Sequence, residues 1–241
     1  MTKNITQNLN INTNWIHLNN FQKNIDLSFF NHDKYKNDIQ SLDKKMSDIL
    51  CDDSWMGNCA KYQLNSGGKR FRAILALLSS KIFGLSKQVS HDIAICCEFI
   101  HNASLIHDDL QDRDLLRRGL PTIWNRFGDH TAINLGDYFI AGSFEALSKI
   151  KGNPENKCKA IEHLSYTIQQ TLKGQSLEIL ERSNLNLRME EYESTAKAKT
   201  GGLICWPIKL IMILNGEKNI DEFNFNPLYE AGLAYQIQDD L

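Results

Sequence analysis

With 241 residues and a formal net charge of -2, the chain is long enough to bury a sizeable apolar core and has no general electrostatic pull toward nucleic acid. Hydrophobic residues make up 42% and charged residues 23%, a globular composition, and the four prolines and fourteen glycines supply too little turn vocabulary for an all-β sandwich. Six cysteines, at 51, 59, 96, 97, 158 and 205, form no CxxC pair and no His/Cys spacing suited to zinc, so they are read as buried free thiols in a reducing compartment.

Residues 1–30 are polar and Asn-rich, with isolated apolar positions such as Trp15, Ile16, Leu18 and Phe21, and are expected to form a loose arm. They lack the apolar run of a signal peptide and the arginines of a transit peptide, which makes cytoplasm the default expectation. Residues 31–241 show helical periodicity with short polar breaks and no run of strict alternation, and are read as one all-α domain.

FRAILALLSSKIFG, residues 71–84, is almost wholly apolar and closes on Gly84, which predicts a buried central helix. Ile95, Phe99, Ala103, Ile106 and Leu110 recur at spacings of three or four, placing one apolar stripe on a core-facing helix. TAINLGDYFIAGSFEALSKI, 131–150, is a second largely buried helix, whose Gly136, Ala141 and Gly142 are expected to admit close approach of neighbouring backbones. Beyond the break at 151–157, helical segments are expected at 160–181, 189–199, 201–215 and 228–241. GGLICWPIKLIMIL carries Pro207 and Lys209 and is well short of the roughly 20 apolar residues a membrane span needs, so it is read as a core helix.

Two stretches carry chemistry. In LIHDDLQDRDLLRRG, 105–119, Asp108 and Asp112 are an i, i+4 pair and Asp109 and Asp112 an i, i+3 pair, crowding three carboxylates on one helix face. Uncompensated, each pair repels by roughly a few tenths of a kcal/mol. A solvated charged face is one reading; the other is a site for a hard cation such as Mg²⁺, which takes carboxylate, water and phosphate oxygens. Arg113, Arg117 and Arg118 follow at once, and guanidinium forks beside a carboxylate face suit a metal-bound polyphosphate. Upstream, NSGGKRFRAIL sets Gly67 and Gly68 before Lys69, Arg70 and Arg72 at a helix N-terminus, an anion site by dipole and donors, although a glycine turn with solvated cations reads the same. His101 stands two helical turns before Asp108 on the same face, where a satisfied core histidine is the alternative to a ligand.

Taken together, GGKRFR at 67, EFIHNASLIHDDLQDRDLLRRGLPTIW at 98–124, KGQ at 173, KTGGL at 199 and YQIQDD at 235 resemble, in that order, the trans-isoprenyl diphosphate synthases, the polyprenyl synthase family. The resemblance implies an isoprenoid-synthase-type helical bundle around a central apolar cavity, with two aspartate motifs facing each other across its mouth. It implies that Asp108, Asp109 and Asp112 bind Mg²⁺ on the diphosphate of an allylic substrate and that Arg117 holds the same diphosphate. Gly68, Lys69, Arg72, His101 and Arg118 would hold isopentenyl diphosphate. Lys199, Thr200 and Gln236 match positions that support the allylic diphosphate, and Asp239 and Asp240 match the first acids of the second motif. Ala103 and Ser104, small residues just before the first motif, stand where bulky side chains limit product length in the family, and imply a geranylgeranyl or longer product.

The family's second motif has a third acid, which would fall two residues past Leu241. The bundle is therefore expected to be incomplete at its C-terminus, lacking its last helices, with impaired activity. Three functions are set against one another: a Mg²⁺-dependent head-to-tail prenyltransferase, a class I terpene cyclase, and a non-catalytic helical partner of a full-length synthase. Lys69, Arg72, His101 and Arg118 speak against the cyclase. A homodimer or a heteromeric synthase is the expected assembly, with neither nucleic acid nor a membrane span involved.

Overall fold

The computed structural model describes residues 32–181, 193, 201–218 and 220–239. The chain divides into two compact units, 1–35 and 36–241, and everything from Lys36 onward belongs to the second. The described elements in order are α1 (His32–Leu50), α2 (Trp55–Asn65), α3 (Phe71–Ile82), α4 (Lys87–Asp112), the short strands β1 (Leu116–Arg117) and β2 (Leu120–Pro121), α5 (Ile123–Phe127), α6 (Asp129–Lys149), α7 (Pro154–Glu181), α8 (Gly202–Asn215), a 3₁₀ turn (Ile220–Glu222) and α9 (Asn226–Asp239). The architecture is all-α, as the sequence implies.

Local chemistry sets the helix ends. Ser54 and Ser86 cap α2 and α4, each hydroxyl accepting from a first-turn amide, Gly57 N–H at 3.0 Å and Val89 N–H at 3.4 Å. α3 stops at a Schellman motif: Gly84 takes a positive φ of 70°, while Leu85 N–H reaches Ser80 C=O at 2.9 Å and Gly84 N–H reaches Lys81 C=O at 3.3 Å. This is the stop signal read from Gly84.

α4 is the central element, packed most extensively on α6 and then on α3, with α8 lying across α7, α3 and α4. Ile95, Phe99, Ala103 and Ile106 of its predicted stripe are buried, and the Phe99 ring meets Phe139 of α6 edge-on at 5.7 Å. Burial of each of the Ile and Phe side chains contributes about 1.5–3 kcal/mol relative to exposure. α8 is apolar around most of its circumference, burying Leu203, Ile204, Cys205, Trp206, Leu210 and Ile211, which makes it the core helix expected of 201–215. No helix among the described residues is long and apolar enough to cross a membrane.

Two expectations need correction; the antiparallel β1–β2 ribbon, by contrast, is too short for alternation to reveal and leaves the all-α reading intact. The small residues of α6 admit side chains rather than backbones: a Cβ on Gly136 would lie 2.0 Å from His107 Nε2, and one on Gly142 would lie 2.7 Å from Leu50 Cδ2, while Ala141 is exposed. All six thiols are free, yet only Cys59, Cys96, Cys97 and Cys205 are buried; Cys51 is half-buried and Cys158 exposed. The segment expected to be helical at 189–199 lies outside the described residues except for Glu193.

Candidate active site

The acidic cluster occupies the last turn of α4, and the backbone beyond it is sharply redirected. Arg113 ends the helix with φ 58°, its N–H bonded to Asp109 C=O, and Asp114 N–H reaches the same carbonyl at 3.0 Å. A left-handed residue other than glycine is unfavourable by roughly 1–2 kcal/mol. Here the Arg113 guanidinium is held by both oxygens of Asp129, at 2.9 and 3.0 Å, and lies 5.0 Å from the centre of the Trp124 ring. Thr122 Oγ1 and Trp124 Nε1 both donate to Asp114 C=O, at 2.6 and 2.9 Å, and Tyr62 Oη donates to Pro121 C=O at 2.7 Å. The strap from 113 to 122 is thus tied down at both ends.

Between these ties the strap makes a two-residue hairpin turn. Arg118 (φ 53°) and Gly119 (φ 79°) both have positive φ, as a type I′ turn joining β1 to β2 requires. The turn sends adjacent arginines to different places. Arg117 Nε and Nη2 meet Asp109 Oδ1 at 2.6 and 2.5 Å, whereas Arg118 Nη1 donates to the Gly67 carbonyl upstream of α3.

Asp109 is only 2% exposed, unlike the half-buried Asp108 and Asp112. Burial raises its carboxyl above the usual range, and the Arg117 ion pair opposes that rise without cancelling it. Gln175 of α7, itself buried, donates to Gln111 at 2.9 Å and so fixes α7 against the acidic turn. Sequence reading quoted KGQ at this point without giving Gln175 a task.

The cationic centre forms where α3 begins. Gly67 (φ 80°), Gly68 (φ 140°) and Arg70 (φ 48°) turn the chain into the helix, and a Cβ on Gly68 would lie 2.8 Å from Arg118 Nη1. The φ of 140° favours glycine at this position, and any larger residue would also push the Arg118 guanidinium aside. Arg72 Nη1 lies 3.2 Å from His101 Nε2, while His101 Nδ1 is buried without a hydrogen-bond partner. Burial, then the charges of Arg72, Arg118, Arg117 and Arg70, hold the His101 imidazole well below its usual pKa, so the ring is neutral at pH 7. Lys69 is exposed at the rim. Gly68, Arg72, His101 and Arg118 are therefore brought together as the sequence implies.

Other candidates are not assembled here. Lys199, Thr200 and Asp240 lie outside the described residues; Gln236 and Asp239 fall on the α9 backbone, with their side chains outside the description. Ala103 is buried in the core, and Ser104, half-buried, turns its hydroxyl onto His101 C=O at 2.8 Å. Sequence reading also missed Glu98, a carboxylate within the apolar run IAICCEFI that is 2% exposed in the structure. A lone acid flanked by apolar residues on both sides was the available signal.

Residues 53–241 match the family model described as polyprenyl synthetase. The chain belongs to the polyprenyl synthetase family. A geranylgeranyl pyrophosphate synthase from Geoglobus acetivorans is 31% identical over 209 residues, 86% of this chain and 66% of that relative. The heptaprenyl diphosphate synthase component 2 of Bacillus subtilis is 32% identical over 85% of this chain and 58% of its own length. The solved structure of the Geoglobus acetivorans geranylgeranyl pyrophosphate synthetase superposes with a TM-score of 0.78 at 30% identity, covering 85% of this chain and 68% of that one. The fold is thus that of the family's synthases, and the chain spans about two thirds or less of the lengths of these curated relatives.

Proposed function

We propose that the protein catalyses Mg²⁺-dependent head-to-tail prenyl transfer, joining isopentenyl diphosphate to an allylic diphosphate and so lengthening a polyprenyl chain. The observation that carries this reading is the division of labour at the hairpin: Arg117 reaches the acidic centre and the next residue, Arg118, reaches the cationic one. Two anion sites, one lined by carboxylates and one by cations and a neutral imidazole, suit two diphosphates that must be held side by side and handled differently.

The donors at the acidic centre are hard carboxylate oxygens, which fit Mg²⁺. Among the described residues no group of three acids, histidines or cysteines is arranged to hold a metal ion, and Asp109 is closed off by Arg117, so the three aspartates would have to rearrange around Mg²⁺ and its water and phosphate ligands. Asp108, Asp109 and Asp112 would hold it, and when bound it would neutralise charge developing on the departing allylic diphosphate. Arg117, released from Asp109, donates to the same oxygens. By the family resemblance Lys199, Thr200 and Gln236 support that diphosphate, and Asp239 and Asp240 bring a second acidic pair.

The cationic centre binds the other diphosphate without metal, through Lys69, Arg72 and Arg118, with the Gly68 backbone close at hand. His101, neutral, offers a hydrogen bond rather than a charge. The double bond of isopentenyl diphosphate then attacks the allylic carbon as its C–O bond breaks, and the proton lost from the adduct passes to the released diphosphate. Ala103 and Ser104 place no bulky side chain before the acidic motif, which supports a geranylgeranyl or longer product.

A second reading is favoured by one finding, the relative named component 2 of a heptaprenyl diphosphate synthase. On that reading the chain works as one subunit of a heteromeric synthase; otherwise a homodimer is proposed. The deciding experiment incubates labelled isopentenyl diphosphate with a panel of allylic diphosphates, in Mg²⁺ or EDTA, using the protein and its Asp108→Ala variant. Mg²⁺-dependent elongation that disappears in Asp108→Ala is expected, and its product length is read directly. Cyclised hydrocarbon with no use of isopentenyl diphosphate would move the assignment to a terpene cyclase. No product from the folded protein alone would favour a partner subunit.

A further inference from the structure

Behind the cationic centre lies a buried carboxyl group, Glu98, that neither proposed diphosphate site uses. Glu98 projects from α4 one turn before His101, and its surroundings are cationic. Its Oε1 accepts the Ala73 amide of the first turn of α3 at 3.1 Å, and its Oε2 lies 3.5 Å from Arg70 Nη1. Arg70 is gripped from the other side as well: Nε and Nη2 each lie 2.9 Å from Asp43 Oδ1, and Nη2 donates to Leu64 C=O at 3.1 Å. Asn102, one turn further along α4, donates to the Glu98 carbonyl at 2.8 Å and accepts from Gln63 of α2 at 3.2 Å. All of Gln63, Arg70, Glu98 and Asn102 are buried.

A carboxylate in such a place is unfavourable unless it is paired and hydrogen-bonded. Glu98 meets both conditions, and its two partners are the residue that begins the left-handed entry to α3 and the first amide turn of that helix. The backbone from Gly67 to Arg70, which sets where Lys69 and Arg72 emerge, is thereby fixed to the helix that carries His101. Arg70, Arg72 and Arg118 all bring positive charge to bear on His101, and Glu98 and Asp43 offset that of Arg70.

We propose that Glu98 is a positioning residue for the cationic diphosphate site: acting through Arg70 and the Ala73 amide, it holds the start of α3 so that Arg72 and Lys69 converge on an incoming diphosphate. This rests on the reading of that centre as the metal-independent isopentenyl diphosphate site. Glu98→Gln keeps the shape but sets an amide N–H or a neutral oxygen against Arg70, removing one of the two carboxylate charges paired with it.

The test compares inorganic pyrophosphate binding in EDTA by calorimetry with steady-state kinetics. In Glu98→Gln the pyrophosphate Kd and the KM for isopentenyl diphosphate are both expected to rise about tenfold or more, as for loss of a charge-assisted contact. The thermal midpoint is expected to fall, because one charge of a buried pair is lost, but the KM for the allylic diphosphate should move little, a split between the two substrates that general damage to the core would not produce. Glu98→Asp, which keeps the charge at shorter reach, should bind pyrophosphate between the wild type and Glu98→Gln. Should Glu98→Gln fail to fold, the Glu98→Asp comparison carries the test. Unchanged pyrophosphate affinity in whichever variant folds, or equal rises in both KM values, overturns the inference. Absence of condensation by the wild type would instead sink the prenyl-transfer reading, while pyrophosphate affinity would still decide the role of Glu98.

Discussion

The two ends of the hairpin strap meet charge in opposite ways. At the acidic centre the structure has satisfied its own most buried acid: Asp109 is closed off by Arg117, its neighbour eight residues along the chain. At the cationic centre the compensation comes from behind, where Glu98 and Asp43 hold Arg70. One site must exchange an internal partner for its ligand. At the other, Arg118 rests on the Gly67 carbonyl and Arg72 beside the His101 ring before any ligand arrives.

The difference is broken most severely by Asp109→Ala. That substitution removes a proposed ligand and leaves Arg117 with the more distant Asp114, at 3.9 Å, as its ion-pair partner. The expected result is a fall of about 10² to 10³ in kcat, the usual scale for one positioned electrostatic group, with a KM for isopentenyl diphosphate within a few-fold of wild type. Steady-state kinetics with both substrates varied will show it. Equal damage to both substrates' parameters would mean that the two centres are not separable.

Gly68→Ala attacks the other side. The new methyl would need a backbone at φ 140° and would lie 2.8 Å from Arg118 Nη1, so the residue is strained and the guanidinium must move. Expected is a rise of about ten- to a hundredfold in KM for isopentenyl diphosphate, one to two positioned contacts' worth, with kcat at saturation largely retained. The same kinetic series measures it. A fall in kcat with KM unchanged would place Gly68 outside the binding step.

How much of this was legible in the sequence follows from which forces are local. Helix α3 with its glycine stop, the buried stripe of α4 and the core character of α8 are written in periodicity and in single punctuating residues, because each helix buries its own face. The residues of the cationic centre were legible too, through their motif order. The hairpin was not, since two-residue strands leave no alternation and Arg118 must take a left-handed conformation that its residue type disfavours. Nor was the pairing of Arg117 with Asp109 or the burial of Glu98, because both depend on what lies opposite in space. Gly136 and Gly142 were correctly marked as positions of close approach, but sequence could not tell whether a backbone or a side chain would arrive.

A smaller effect follows from the protonation state of His101. Burial and the surrounding arginines depress its pKa in the folded protein, so the unfolded chain binds more protons at acid pH, and stability falls as pH drops below the ordinary histidine value near 6.5. The slope from this one group is at most about 1.4 kcal/mol per pH unit. His91, also depressed chiefly by burial, contributes in the same direction, whereas Asp109 and Glu98, raised by burial, act oppositely at lower pH. Urea denaturation of the wild type and His101→Gln between pH 7.5 and about 5.5 isolates the difference. The variant is expected to lose less stability across that interval. If both lines are parallel, the imidazole does not titrate differently in the folded state.

The smallest expected effect sharpens the contrast between strap and site. Arg113 pairs with Asp129 and stacks on Trp124, but its side chain and that of Asp129 are 58% and 46% exposed. An exposed bidentate pair contributes about 0–1 kcal/mol, and a cation over an exposed ring about 0.5–1 kcal/mol. Arg113→Gly would lose these contacts yet relieve the φ of 58°, which glycine adopts freely. The two changes nearly offset, so thermal unfolding should shift by no more than about 0.5 kcal/mol equivalent. A large loss would mean that the Arg113 side chain, and not the ties at Asp114, Thr122 and Trp124, holds the strap in place. In that event Arg117 and Arg118 would separate from their two centres together.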